Sequence, residues 1–479
     1  MKKILTYILI VMIFLLACAG AFKLGSWLRL SDAVRNNVIR RELGTLINGQ
    51  DISEKTFNIY YFGGSTMVGE PYNSRFSLPQ LVSYMLNEKI GKRDIRYVNV
   101  AQPGRNLEYN VEHMKFILEH PQTFHASLCV IYSGHNEFIG YFISKNYVLD
   151  VDERSFFDRP LPIVGGYPAV IARYNRALTE ANTLCREHQV SCIFSTVAGN
   201  YGNWEPNRSV FSGSEKDKNK FKHMIDQGIA ARLSGNNAQA ISYFRQALDI
   251  SDTFAEAHYR LAQSYEALGA YAKAWEHYHQ AVDYDQMPIR ATRQQNDFIR
   301  RLPQDKRVAV VDIVQALRKK SRHGIIGSDL MIDGHHPNLE GYIEIAYLIA
   351  QHIYSMFQDG LELSVAKKED VRSRFQIDKQ MMFRVHISRG RWFTRTSTLR
   401  YEPSQRLESA QGHFMEAMKL DERRFEPYLG MAMCYFLKKD LPTANQYLSQ
   451  AKARDNDSVR EYMAEPWVKQ VVDRANSRK

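Results

Sequence analysis

The sequence predicts an α/β protein whose parallel sheet, with crossover helices, is split by an all-helical insertion. Two observations carry the prediction. Five short apolar runs, at 57–62, 96–100, 127–132, 190–195 and 307–312, are separated by longer amphipathic stretches, the alternation expected of buried parallel strands and the helices that join them. The last two runs stand far apart, and the chain between them repeats itself. Gly235 and Gly269, Ala240 and Ala274, Phe244 and Tyr278, and Ala247 and Ala281 are each 34 residues apart.

A length of 479 residues corresponds to about three domains. With 44% hydrophobic and 24% charged residues, and only 27 Gly and 15 Pro, the chain is neither collagen-like nor disordered. Five cysteines cannot form a disulfide framework, so folding rests on apolar burial. Cys129 and Cys434 sit in apolar runs and read as core thiols. Cys185 and Cys192 flank a helix-to-strand connection, and whether they pair is left open.

Behind Met1-Lys2-Lys3, residues 4–22 are apolar or small except for Thr6 and Tyr7. A run of that length predicts a transmembrane helix, used as an uncleaved single-pass anchor with the bulk of the chain outside the cytoplasm, in a bacterial periplasm or at a cell surface. Leu15-Leu16-Ala17-Cys18 resembles a lipobox, but Leu16 is bulky for its place and 19–22 stay apolar, so a lipoprotein and a cleaved signal are the alternatives.

Thirty-four residues is the length of a tetratricopeptide repeat (TPR), and 221–288 resembles two such units. Tyr428, Ala432, Tyr435, Ala444, Leu448 and Ala451 continue the spacing near the C-terminus, preceded by Ala410, Phe414 and Ala417 as part of a divergent unit. Between them, 366–400 holds ten Lys or Arg against three carboxylates and carries seven of the net eleven positive charges. It reads as a solvated basic linker, with docking to an anionic polymer or lipid headgroups as the alternative. An exported chain makes nucleic acid an unsuitable partner.

The residues suited to chemistry follow strand ends. Gly63-Gly64-Ser65-Thr66 closes the first strand, where a tight turn exposes a Ser hydroxyl beside backbone N–H groups. Gln102-Pro103-Gly104-Arg105-Asn106 follows the second and Ser133-Gly134-His135-Asn136-Glu137 the third. In a parallel sheet such loops converge on one crevice. The N–H groups of Ser65 and Gly104 with the Asn136 amide make an oxyanion hole. Further on, Asp333-Gly334-His335-His336 lets one loop supply a base, His336, and its orienting carboxylate, Asp333. His335 invites a metal, but no cluster of ligand spacing accompanies it, so neither metal nor cofactor is expected. Asn200 and Trp204, in a Gly/Asn-rich loop after the fourth strand, are candidates for a substrate wall or plain loop chemistry.

These four blocks in this order resemble the SGNH (GDSL-like) hydrolase family, in the variant whose first block reads Gly-Gly-Ser-Thr. The resemblance covers 55–200 and 300–355. It implies a flavodoxin-like three-layer α/β/α sandwich, with Ser65 as nucleophile, Asp333 and His336 completing the triad, and Ser65, Gly104 and Asn136 in the oxyanion hole. Gly64 and Glu137 depart from the family's commoner residues. The expected organisation is an anchor at 1–23, a linker or helix at 24–54, catalytic parts at 55–214 and 301–360, a TPR insertion at 215–300, a basic linker at 361–400 and TPR-like helices at 401–479. The resemblance and the export segment together imply an esterase acting on O-acyl, especially O-acetyl, groups of a carbohydrate or envelope polymer, with a protein partner on the TPR units. An O-acyltransferase and a TPR scaffold with an incidental hydrolase fold are the alternatives.

Overall fold

The computed structural model describes residues 32–72, 74–138, 166–357, 368–398, 400 and 402–476. The chain divides into two units, 1–52 and 53–479. In the first, Asp32–Ile47 is a helix, α1. Among the described residues no helix is long and apolar enough to cross a membrane, and the span expected at 4–22 lies outside them.

The second unit is built on one sheet. Its strands are β1 (Phe57–Gly63), β2 (Lys89–Ile90), β3 (Arg93–Asn99), β4 (Ala126–Tyr132), β5 (Ser191–Ser195) and β6 (Val308–Val311), in the order β2-β3-β1-β4-β5-β6. All neighbours from β3 to β6 are parallel, while β2 turns back antiparallel on β3 at the edge. The five expected strands are present; two-residue β2 is too short to leave an apolar pattern. Every residue of β1 is buried. Its polar member, Asn58, accepts from Thr56 Oγ1 at 2.7 Å and donates to Ser53 O and His125 O.

Helices α2 (Ser65–Val68), α3 (Leu78–Met85), α4 (Leu107–Glu119) and α5 (Gly166–Glu187) lie between the early strands. Since β3 lies on one side of β1 and β4 and β5 on the other, right-handed crossovers put α3 on one face and α4 and α5 on the opposite one. Cys185 near the end of α5 and Cys192 in β5 form a disulfide with a Cα–Cα distance of 6.3 Å, the pairing the sequence left open. Cys129 and Cys434 are buried free thiols, each pushed up to about 12 by burial.

Between β5 and β6 run α6 (Lys218–Leu233), α7 (Asn237–Leu248), α8 (Ala255–Ala267), α9 (Tyr271–Asp283) and α10 (Arg293–Arg300). The first four are two helical hairpins. The 34-residue period has a direct cause: Ala240, Phe244 and Ala247 of α7 and Ala274, Tyr278 and Ala281 of α9 are all buried, so the same face packs inward twice. After β6 come α11 (Ile313–Lys320) and α12 (Leu339–Phe357), which packs on α3.

The basic stretch is not a linker. Its described part forms α13 (Lys368–Arg374) and α14 (Lys379–Ser397), and α14 buries Met381, Phe383, Val385, Ile387 and Phe393. Ten cations mark the segment in sequence, yet its apolar residues give it a core-facing side. Helix α14 pairs with α15 (Ser404–Leu420), followed by α16 (Glu426–Leu437), α17 (Leu441–Arg454), α18 (Asn456–Met463) and α19 (Pro466–Asn476). Phe414 of α15 is the wedge between α14 and α16. A Cβ added at Gly390 would stand 2.5 Å, and one at Gly430 2.3 Å, from its ring, so the two glycines let both helices close on it.

Buried charge ties the insertion and the C-terminal helices to the loop after β5. Arg406 of α15 donates to Glu205 O at 2.7 Å, to Glu205 Oε2 at 3.2 Å and to Asn207 Oδ1 at 2.8 Å, and its guanidinium lies 4.0 Å from the Trp204 ring centroid. Glu256 of α8 pairs with Arg260 at 2.7 Å and with Arg400. Ions this deep persist only when paired. The Phe414 wedge predicts that Phe414→Ala lowers unfolding free energy by about 3–5 kcal/mol, because flanking backbones cannot collapse into the space. Urea unfolding followed by circular dichroism checks this; a loss under about 1 kcal/mol would contradict the packing role.

Candidate active site

The sheet register brings the early loops to one edge. Tyr61 pairs with Asn99 and Gly63 with Tyr132, so the chain leaves β1, β3 and β4 at the same end. Gly63 and Gly64 are required by close approach. A Cβ on Gly63 would meet Tyr132 O at 2.5 Å, and one on Gly64 would meet Asn136 Nδ2 at 2.3 Å. Ser65 is therefore delivered at the first position of α2 with the Asn136 amide against the preceding residue.

His336 Nε2 lies 2.8 Å from Ser65 Oγ, and His336 Nδ1 lies 2.7 Å from Asp333 Oδ2. The carboxylate can only accept, so Nδ1 carries the proton and Nε2 is left to accept from the serine hydroxyl. Asp333 is wholly buried. Its Oδ1 accepts from the backbone N–H groups of His335 at 2.9 Å and His336 at 2.8 Å, and its Oδ2 also accepts from Arg389 Nη1. Burial alone would raise this carboxyl, but His336 and Arg389 overcome it and hold Asp333 well below the usual carboxylate range.

Asn136 is nearly buried and donates one amide hydrogen to Arg105 O at 2.9 Å, leaving a second available. That bond draws the β3–α4 loop toward Gly64. Gly104, its neighbour, is exposed at φ +77°. The loop is anchored by Asn106, which caps α4 by accepting from Tyr109 N at 3.1 Å, and by Glu137 Oε1, which accepts from Leu107 N at 3.1 Å.

The two remaining candidates are placed differently. Trp204 is fully buried, so the exposed substrate wall expected of it is corrected. Its indole fills the space behind Gly334, where an added Cβ would come within 2.8 Å, and meets Phe393 edge-on. Asn200, also buried, donates through Nδ2 to Asp333 O at 3.1 Å and through its backbone N–H to Gly334 O at 3.0 Å. Both residues support the Asp333 loop from behind. A Gly/Asn-rich loop looks the same in sequence whether it lines a crevice or buttresses a neighbour.

Two residues at the site, Arg389 and His135, carry no signal of it in the sequence, and His335 is weighed there only as a metal ligand. Arg389 lay inside a charge run, and nothing local marks one arginine of ten as buried. His135 is pushed down to about 3 by burial, and its Nδ1 accepts from Ala291 N at 3.1 Å, joining the loop after β4 to the end of the insertion. His335 lies between His135 and His336, with ring centroids 5.0 and 4.0 Å away. Burial, then the neighbouring His336, holds it well below the usual histidine range, so it remains neutral. Asp333, His335 and His336 present ligand atoms within 4.8 Å of one another. The Asp333 carboxylate, however, is matched by four donors including a guanidinium, which leaves a cation no free anionic ligand.

The sequence of the chain at 231–292 matches the tetratricopeptide repeat family. Curated proteins give no significant sequence match. Among solved structures, the chain is similar to a GDSL-like lipase from Bacteroides thetaiotaomicron, at 12% identity and TM-score 0.30 over 66% of this chain and 97% of that one. It is similar to a lipase/acylhydrolase from Enterococcus faecalis, at 12% identity and TM-score 0.28 over 64% and 100%. A TPR protein with an unusual peptide-binding site matches at 11% identity and TM-score 0.15 over 52% and 93%.

Glu137 generates a pH prediction. Burial, opposed by the Leu107 N–H, raises its carboxyl from an ordinary 4.5 to about 8. Across that window the native state keeps a proton that the unfolded chain has released, so stability falls as pH rises. Glu137→Gln, which retains an acceptor for Leu107, should gain on the parent steadily from pH 4.5 to about 8 and no further above it. Urea midpoints at a series of pH values test this, and parallel curves for the two proteins would refute it. The chain is similar to GDSL-like lipases and acylhydrolases and carries a tetratricopeptide repeat at 231–292.

Proposed function

We propose that the protein is an SGNH-type serine acyl hydrolase with Ser65 as nucleophile. The observation that carries this is the continuous relay from Ser65 Oγ through both His336 nitrogens to Asp333, at 2.8 and 2.7 Å. The catalytic parts are 55–214 and 301–360, forming a flavodoxin-like three-layer sandwich, with the TPR insertion at 215–300 and TPR-like helices beyond 400. Ser65 Oγ attacks the ester carbonyl carbon as His336 Nε2 takes its proton, and Asp333 stabilises the imidazolium. Negative charge gathering on the carbonyl oxygen meets the N–H groups of Ser65 and Gly104 and the second amide hydrogen of Asn136. As the intermediate collapses, the imidazolium returns the proton to the departing alkoxide, leaving an acyl-Ser65 ester. His336 then deprotonates an acceptor hydroxyl, which attacks the acyl group, and as the acyl–oxygen bond breaks the imidazolium returns its proton to Ser65 Oγ. Water as acceptor makes a hydrolase and a sugar hydroxyl makes an O-acyltransferase.

The substrate in this reading is an O-acylated, chiefly O-acetylated, carbohydrate or envelope polymer. The protein works outside the cytoplasm on a membrane anchor. Support for that location is the apolar run at 4–22 together with the Cys185–Cys192 disulfide, which suits an oxidising compartment. The TPR segment favours a protein partner in addition to the substrate.

Two experiments test the chemistry. Ser65→Ala should abolish hydrolysis of 4-nitrophenyl acetate and labelling by a fluorophosphonate; turnover retained by the variant would exclude Ser65 as nucleophile. Asn136→Ala should lower kcat by about 10²- to 10³-fold, the usual effect of removing one oxyanion donor. Steady-state kinetics on the same ester measures it, and an unchanged kcat would assign the role elsewhere.

A further inference from the structure

We propose that Arg389 is a positioning residue of the catalytic triad, carried into it by α14 of the C-terminal helices to orient Asp333 toward His336 and supply its counter-charge. The proposal rests on the acyl-enzyme reading of Ser65 and deepens it.

The geometry is specific. Arg389 Nη1 and His336 Nδ1 stand 3.3 Å apart and aim their protons at the same oxygen, Asp333 Oδ2. The opposite oxygen is held by two backbone N–H groups. Asp333 is thus fixed on both sides, and its remaining freedom, rotation that would carry Oδ2 away from the imidazole, is blocked by the guanidinium. Arg389 is itself nearly buried, and among the described residues Asp333 is the carboxylate paired with it. Nη2 donates to Ser388 Oγ at 3.0 Å, which sets the plane of the fork. Gly390, the next residue, is pressed against Phe414, so the height of the arginine along α14 is set by helix packing. A buried arginine whose counter-ion is the triad carboxylate has its reason for burial in the site itself. With His336, the ion pair offsets the burial that would raise this carboxyl, so without the cation Asp333 takes up a proton at higher pH and ceases to accept from Nδ1.

The test compares parent, Arg389→Gln, Arg389→Met and Arg389→Lys in hydrolysis of 4-nitrophenyl acetate from pH 4 to 9, with the rate of fluorophosphonate labelling at Ser65 read in parallel. The neutral variants should lose about 10- to 100-fold in kcat at unchanged KM. The acid limb of their kcat/KM profile should move up by about one pH unit or more. Arg389→Lys should bring the acid limb back to that of the parent and recover part of kcat. An unmoved acid limb in a folded neutral variant overturns the proposal, as does a Lys variant no better than Gln. Should both neutral variants fail to fold, Lys decides alone: lowered kcat at the parent's KM and acid limb supports the role, and parent turnover or a raised KM overturns it. A parent protein that neither turns over ester nor labels at Ser65 instead removes the acyl-enzyme reading.

Discussion

A wholly buried carboxylate, Asp333, is the constraint around which the rest of this molecule is arranged. An ion removed from water must be surrounded by donors, and removing one partner of a buried pair typically costs about 3–5 kcal/mol. Here the donors come from three places: the backbone of its own loop, the His336 ring and Arg389 of α14, more than fifty residues away along the chain. The loop is in turn held by Asn200 and backed by Trp204. The His336 ring, Arg389 and the loop itself are therefore all held by one buried negative charge.

The same electrostatic rule joins the helical regions to the sheet. Glu205 and Asn207, in the loop after β5, receive Arg406 from α15, while Glu256 of α8 pairs with Arg260 and Arg400. Arg290, at the end of the insertion, donates to Asn200 O and Trp204 O, each at 2.7 Å. Loop 200–207 is therefore gripped from the insertion and from the C-terminal helices while it supports Asp333. A helical repeat that only leaned on the sheet through apolar contact could slide; paired ions and short hydrogen bonds specify one arrangement. In this protein the helical additions and the Asp333 loop share one buried framework.

Apolar periodicity and close-packed glycine set the scale of the site. The strands stand out in sequence because β1 is buried along its whole length and β4 from Leu128 to Tyr132, and the turn after β1 because two glycines let Tyr132 O and Asn136 approach nearer than any side chain allows. Local chemistry of this kind is written into neighbouring residues. The repeat in the insertion is equally local, since each hairpin must bury the same three positions.

By itself the sequence determined the five parallel strands, the doubled helical hairpin and the short blocks that hold Ser65, Gly104, Asn136, Asp333 and His336, because each depends on patterns a few residues to one repeat long. It also identified Cys185 and Cys192 as able to pair, though not that they do. Only the tertiary structure decided that Trp204 and Asn200 buttress the Asp333 loop from behind, that the basic stretch folds into a core-facing helix, and that Arg389 among ten cations reaches Asp333. The reason is physical: a local pattern records how a segment buries its own apolar face, whereas the partner of a buried charge is chosen by whichever distant segment the fold brings within hydrogen-bonding range.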